Sequence, residues 1–327
     1  MSTTSWPSLD RTWPRRHGWR RPIGYFLAFA AALLWSTLGL LGKTIYRYGA
    51  DPLTVVTIRA LVAFLTLAIV LAVVDRRYLV IRLRDVPFFA VYGLVGVTLN
   101  YASYFYALQS TTVTTAVILL YTYPAIVTIF AALFMDEAFT WIKGSVLALT
   151  FGGCFLVVEG YSQAAWTLNI RGVLFGLGAG VTAAAYSLLG KKALQRYKSW
   201  TAVCYSLGFG TAFLLLLRPP GAILSTSYPW QAWLGILALA WFPTLLAYSL
   251  FTTSMHYIEA SQASIIATLE PVFAVLLASL LLEERMALPQ VMGAIWVVGG
   301  LILLQLTQRH QGPAPNPSTP PRGMEGR

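Results

Sequence analysis

Ten apolar runs, each long enough to cross a bilayer, succeed one another along this chain with almost no charge inside them. They fall at roughly residues 22–42, 53–74, 86–108, 112–134, 141–159, 171–190, 200–217, 231–251, 261–282 and 288–306. About 20 residues of helix, rising about 1.5 Å each, match a hydrocarbon core about 30 Å thick. In lipid every backbone N–H and C=O must be paired internally, which leaves only helices or a closed barrel. A barrel strand needs only about ten alternating residues, so runs of this length select helices. The composition agrees: 57% of residues are hydrophobic and 11% charged, where a soluble domain carries about a quarter charged. The expected fold is an all-α polytopic membrane protein with ten transmembrane helices.

The formal charge of +11 does not mark a nucleic-acid binder, because most of the basic residues flank apolar runs. That placement is what membrane topology requires. With the N-terminus in the cytoplasm, 17 of the 23 Lys and Arg fall inside; the exceptions are Lys43, Arg47, Arg59, Arg171, Arg218 and Arg285. Both termini are therefore expected in the cytoplasm. Residues 1–21 form a basic cytoplasmic segment, and 307–327, with Pro313, Pro315, Pro317, Pro320 and Pro321, are expected to be disordered. Cys154 and Cys204 lie in apolar runs without metal or redox spacing, and His17, His256 and His310 are scattered.

The chain repeats itself. At an offset of 147, Tyr104–Val157 lies over Phe251–Leu304 without a gap, bringing Ala116 onto Ala263, Pro124 onto Pro271, Glu137 onto Glu284 and Gly152-Gly153 onto Gly299-Gly300. At an offset of 148 the first helices match too, Gly24 with Gly172, Gly42 with Gly190 and Lys43 with Lys191. The halves, 22–160 and 171–306, hold five helices each. An odd number reverses the second half in the membrane, giving two inverted five-helix repeats. Such repeats place a substrate site near the midplane, between the halves.

Small residues recur every fourth position on the first helix of each half: Gly24, Ala28, Ala32 and Ser36, then Gly172, Gly176, Gly180 and Ala184. This spacing lets helix backbones approach closely. Gly176-Leu177-Gly178-Ala179-Gly180 follows no strand, so it reads as packing and not as a phosphate loop.

Trp35-Ser36, Lys43, Asp51-Pro52 and Arg59 occur in that order in the first half. Both halves have a mid-helix proline and an acidic pair, Asp136-Glu137 and Glu283-Glu284. Each closes on a glycine-rich helix, with Gly144 and Gly152-Gly153 or Gly293 and Gly299-Gly300. With Leu269-Glu270-Pro271-Val272, these residues give a chain that resembles the EamA-type branch of the drug/metabolite transporter superfamily over about 22–306. The second half departs from the first, with Thr182-Ala183 near the place of Trp35-Ser36 and no clear partner for Arg59. The resemblance implies a cell-membrane secondary transporter of a small organic solute, without a cofactor. Many relatives export amino acids or other metabolites; others take up sugars or handle toxic compounds. Neither direction nor oligomeric state follows.

Glu270 sits about nine residues into its span, near mid-membrane, where a carboxylate is costly. Three readings are open: a proton-coupling group, a partner for a cationic substrate group, or a structural partner at the kink. Arg59 is close enough to a helix end to snorkel, and its other reading is capture of an anion such as a carboxylate. Asn100, Tyr101 and Tyr104 on the third helix are candidate cavity linings. Trp241 and Tyr248 on the eighth could complete an aromatic wall, and Trp35 is counted with these candidates. Pro124, Pro243 and Pro271 read as kinks or hinges. Two other classes were weighed. A membrane-embedded enzyme would need a nucleophile and base or a metal cluster, and no HExxH, GxSxG or paired intramembrane acids occur. A scaffold would have no need of paired kinks.

Overall fold

The computed structural model describes residues 21–163, 169–224, 226–282 and 286–310. The ten helices are α1 (Arg21–Tyr46), α2 (Pro52–Val74), α3 (Leu83–Ser110), α4 (Val113–Phe134), α5 (Trp141–Val157), α6 (Ile170–Ala193), α7 (Ser199–Leu217), α8 (Trp230–Ser254), α9 (Ala260–Ala267 continued by Leu269–Leu282) and α10 (Leu288–His310). Among the described residues, nine are long and apolar enough to span a membrane, and α5 has 17 residues. The chain is an all-α, multi-pass membrane protein. Outward-facing Val73, Leu133 and Leu280 are well exposed, as lipid-facing side chains should be. Residues 1–20, 311–327, Glu283 and Glu284 lie outside the described residues, so expectations for them find no counterpart here. Residues 307–310, expected in the tail, belong to α10.

The inverted repeat appears in the packing. Helix α1 lies against α8 and α9, and α6 lies against their counterparts α3 and α4. The pairs α2–α7 and α5–α10 map onto themselves. The small-residue stripes serve the same contact twice. A β-carbon on Gly24 would meet Tyr257 and Ile258, and one on Gly172 would meet Ser110 and Thr111, the positions 147 earlier. Gly176 and Gly180 press on Leu119 and Thr122 of α4. Ala28, Ala32, Ser36 and Ala184 are buried.

Irregularities also come in pairs. In α4 the helix stops at Leu120 and resumes at Tyr123; in α9 it stops at Ala267 and resumes at Leu269. A proline lacks the N–H and crowds the carbonyl four residues back. Four residues before Pro124 and Pro271 are Leu120 and Ala267, the last residues of the first segments. Here the expected kinks are outright interruptions. Thr122 and Thr268 hydroxyls bond back into the first segments, donating to Leu119 O at 2.7 Å and Ile265 O at 2.6 Å. Pro243 acts differently. Its helix widens into a π segment, Ala240–Leu246, and Thr244 donates to the carbonyl of Leu239, four residues before the proline. A matching π segment, Leu94–Leu99, lies in α3 without any proline, and Thr98 bonds across to Gly210 O on α7.

Candidate functional site

The two helix breaks meet at the centre of the bundle. Cys154 of α5 donates to Thr268 O, and the hydroxyl of Tyr123 donates to Ser264 O at 3.2 Å. Between the breaks is a cavity of about 240 Å³ lined by Tyr121, Thr122, Thr150, Cys154 and Thr268, among others. That is somewhat below the about 300–1,000 Å³ of sites for drug-sized molecules, so the space suits a small solute. Glu270 opens the second segment of α9, close to Tyr121. Tyr104, Tyr123 and Cys154 lie within its electrostatic reach.

A second cluster is built from five helices of both halves. The Arg59 guanidinium of α2 lies over the ring of Tyr101 of α3, with Cζ 4.4 Å from the centroid. Tyr101 and Arg59 both act electrostatically on Tyr248 of α8. Trp35 of α1 meets Tyr248 edge-on at 5.3 Å, and Tyr186 of α6 meets it at 4.9 Å. Tyr104, Tyr248 and Glu270 are enclosed by protein, yet each keeps accessible surface. They lie on helices of both halves, in the region where an inverted repeat places its substrate site.

Arg59 is 9% exposed, so it does not snorkel. Its Nε has no hydrogen-bond partner, and no described acidic residue is ion-paired with it. Stacking on one ring contributes about 0.5–2 kcal/mol. Desolvating an unpaired ion costs several kcal/mol, so the ring leaves about half or more of that cost uncompensated.

Two other candidates lie elsewhere. Asn100 is turned towards α6, donating to Ala179 O at 3.0 Å and to Thr182 Oγ1 at 3.2 Å, so it braces two helices instead of serving as a cavity lining. Trp241 is 44% exposed on the bundle exterior and donates to Thr66 Oγ1. It lies in the π segment and has no described ring contact with Tyr248, whose ring partners are Trp35 and Tyr186.

One end of the bundle is sealed by polar contacts, those of Glu137 and Lys143 between the halves and that of Lys191 within the second half, which sequence reading missed. The Glu137 carboxylate, after α4, accepts from Ala260 N, Ser261 N and Ser261 Oγ at the start of α9. Lys143 of α5 pairs with Glu259 at 2.7 Å. Lys191 of α6 donates to the carbonyls of Met255 and Ile258. At this end the first segment of α9 packs on the second segment of α4 and on α6. The two-fold counterparts, the first segment of α4 with the second segment of α9 and with α1, make at most marginal contact. The repeats thus break their symmetry by closing one end and parting at the other.

Comparison with known proteins follows this architecture. The model of the EamA-like transporter family matches residues 22–159 and 170–306, one copy per half. An uncharacterized transporter of Archaeoglobus fulgidus is 29% identical over 87% of this chain and 98% of its own length. An inner membrane transporter of Salmonella typhimurium, YicL, is 25% identical over 89% of this chain and 98% of its own. A probable terminal-alkyne amino-acid exporter of Streptantibioticus cattleyicolor is 26% identical over 72% and 79% respectively. A solved crystal structure shares the fold with a TM-score of 0.76, covering 89% of this chain and 100% of its own, at 19% identity.

Proposed function

The chain belongs to the EamA-like transporter family, and from that premise we propose that it moves a small organic solute, an amino acid or related metabolite, out of the cell by alternating access. The observation that carries this reading is the broken two-fold symmetry. Inverted repeats have two equivalent ways to pack, and exchanging them moves the opening from one face to the other. The conformer described here is sealed at the end of Lys143, Lys191 and Glu259. The positive-inside count assigns that end to the cytoplasm, which makes this the outward-facing state. The similarity to an amino-acid exporter supports the substrate class.

Glu270 is the proposed proton carrier. It opens the second segment of α9 at the break, close to Tyr121 at the break of α4, so that a change in its charge can act on both breaks. The first half has Tyr123 at the corresponding position, so this chemistry is not duplicated. Purified protein in proteoliposomes tests both levels. Counterflow of labelled amino acids should be seen, and an imposed pH gradient should drive it. Glu270→Gln should retain counterflow and lose the response to the gradient. No flux across a broad panel of solutes, with the protein folded, would sink the transport reading. A gradient response surviving in Glu270→Gln would remove Glu270 as carrier.

A further inference from the structure

We infer that Arg59 is the anion subsite of the substrate site and takes the carboxylate of the transported solute. The inference rests on the transport reading for what the ligand is, and on geometry for where it binds. The guanidinium is buried within the bundle on α2, six residues beyond Leu53. Its Nε is buried and without a partner, and no described carboxylate is within ion-pair distance. The acidic residue nearest in sequence, Asp51, is already committed. It caps α2 through Thr54 and pairs with Arg218 at 3.7 Å. Glu270 is close to Tyr121, and the groups within its reach do not include Arg59. The cation lies over the ring of Tyr101, with Tyr46 and Tyr248 within its electrostatic reach.

A planar, forked donor whose buried Nε has no protein acceptor suits a planar, bidentate acceptor, which is the geometry of a carboxylate. The hydroxyl on the Tyr101 ring is a further buried polar group here, near Tyr248. The surrounding rings of Trp35, Tyr186 and Tyr248 offer apolar faces to the rest of the molecule. The predicted ligand is a small carboxylate with an apolar or aromatic body. Its amine or ester counterparts, lacking the anion, should not bind.

The test reads Arg59 directly. Full-length protein labelled with 15N-arginine, in nanodiscs, is titrated with phenylacetate, acetate and an equimolar pool of proteinogenic L-amino acids, and in parallel with phenethylamine and sodium chloride. The Arg59 Nε–H resonance is assigned by its loss in Arg59→Lys. Should that variant not fold, the shift caused by removing the stacked ring in Tyr101→Leu assigns it. Saturable movement of this resonance with at least one of the carboxylate probes, and none with phenethylamine or chloride, is the expected result. No saturable movement with any carboxylate, or equal movement with chloride, overturns the subsite. Its failure and that of transport are separable: flux without a shift keeps the transporter and removes the subsite, while a shift without flux does the reverse.

Discussion

Glu137 shows how much one side chain can hold. Asp136 adopts a positive φ of 55°, a left-handed turn that Asp tolerates better than most residues, and this delivers Glu137 to the start of α9. There the carboxylate accepts from Ala260 N, Ser261 N and Ser261 Oγ, at the positive end of a helix dipole. Glu137→Ala would leave two buried N–H donors unpaired, at about 1–3 kcal/mol each. The variant should therefore unfold measurably earlier in detergent by thermal or denaturant titration, whereas Glu137→Gln, which keeps one acceptor, should lose less. Equal stability of wild type and Glu137→Ala would contradict this role. The sequence marks Glu137 as a repeated position, but its partners lie 123 and 124 residues away, and no local pattern reports that.

Among the elements, α5 and α10 carry the plainest packing test. A β-carbon on Gly153 would sit 2.7 Å from the Gly293 carbonyl oxygen, and one on Gly293 would sit 2.5 Å from that of Gly153. Backbone cannot yield as a side chain can, so Gly153→Ala should separate the helices and cost about 1–3 kcal/mol, as overpacking does. Gly299, on the same helix as Gly293, has open space around it. Gly299→Ala should be neutral or stabilising by up to about 1 kcal/mol from helix propensity alone. Comparing the unfolding of the two variants decides it; equal destabilisation would show that the contact matters less than helix geometry. The breaks of α4 and α9 were legible as prolines, because the crowded carbonyl is a local effect. The π segment of α3 was not, since no proline marks it and Thr98 completes its bonding on α7.

For the whole molecule, the sealed end is one of two alternatives. Lys143 and Glu259 join the first-half α5 to the loop before α9 across the interface. If opening this end is part of transport, fixing it should stop flux. In a Cys154→Ala/Cys204→Ala background shown to retain flux, Lys143→Cys with Glu259→Cys bridged by a cleavable thiol cross-linker should block proteoliposome flux, and reduction should restore it. Continued flux in the bridged protein would mean that this end does not move. The charge-swapped pair, Lys143→Glu with Glu259→Lys, should be more active than either single change, because each single change places like charges together in a pair that is 7% exposed on the lysine side.

The amino-acid sequence determined the number of helices, their doubling and the inversion of the halves, because span length, the 147-residue register and an odd helix count are properties of the chain alone. It also pointed to Glu270, Arg59, Tyr101, Tyr104, Tyr248 and Trp35 as unusual for their surroundings. Tertiary structure decided which of these come together. Asn100 commits its amide to Ala179 O and Thr182 of α6, and Trp241 its indole N–H to Thr66 of α2, partners on other helices that helical periodicity does not encode. It also decided that Arg59 is buried and unpaired, since burial is a sum over neighbours from other helices. And it selected which end is closed. A nearly symmetric sequence supports both packings, and only the long-range bonds of Glu137, Lys143 and Lys191 distinguish them.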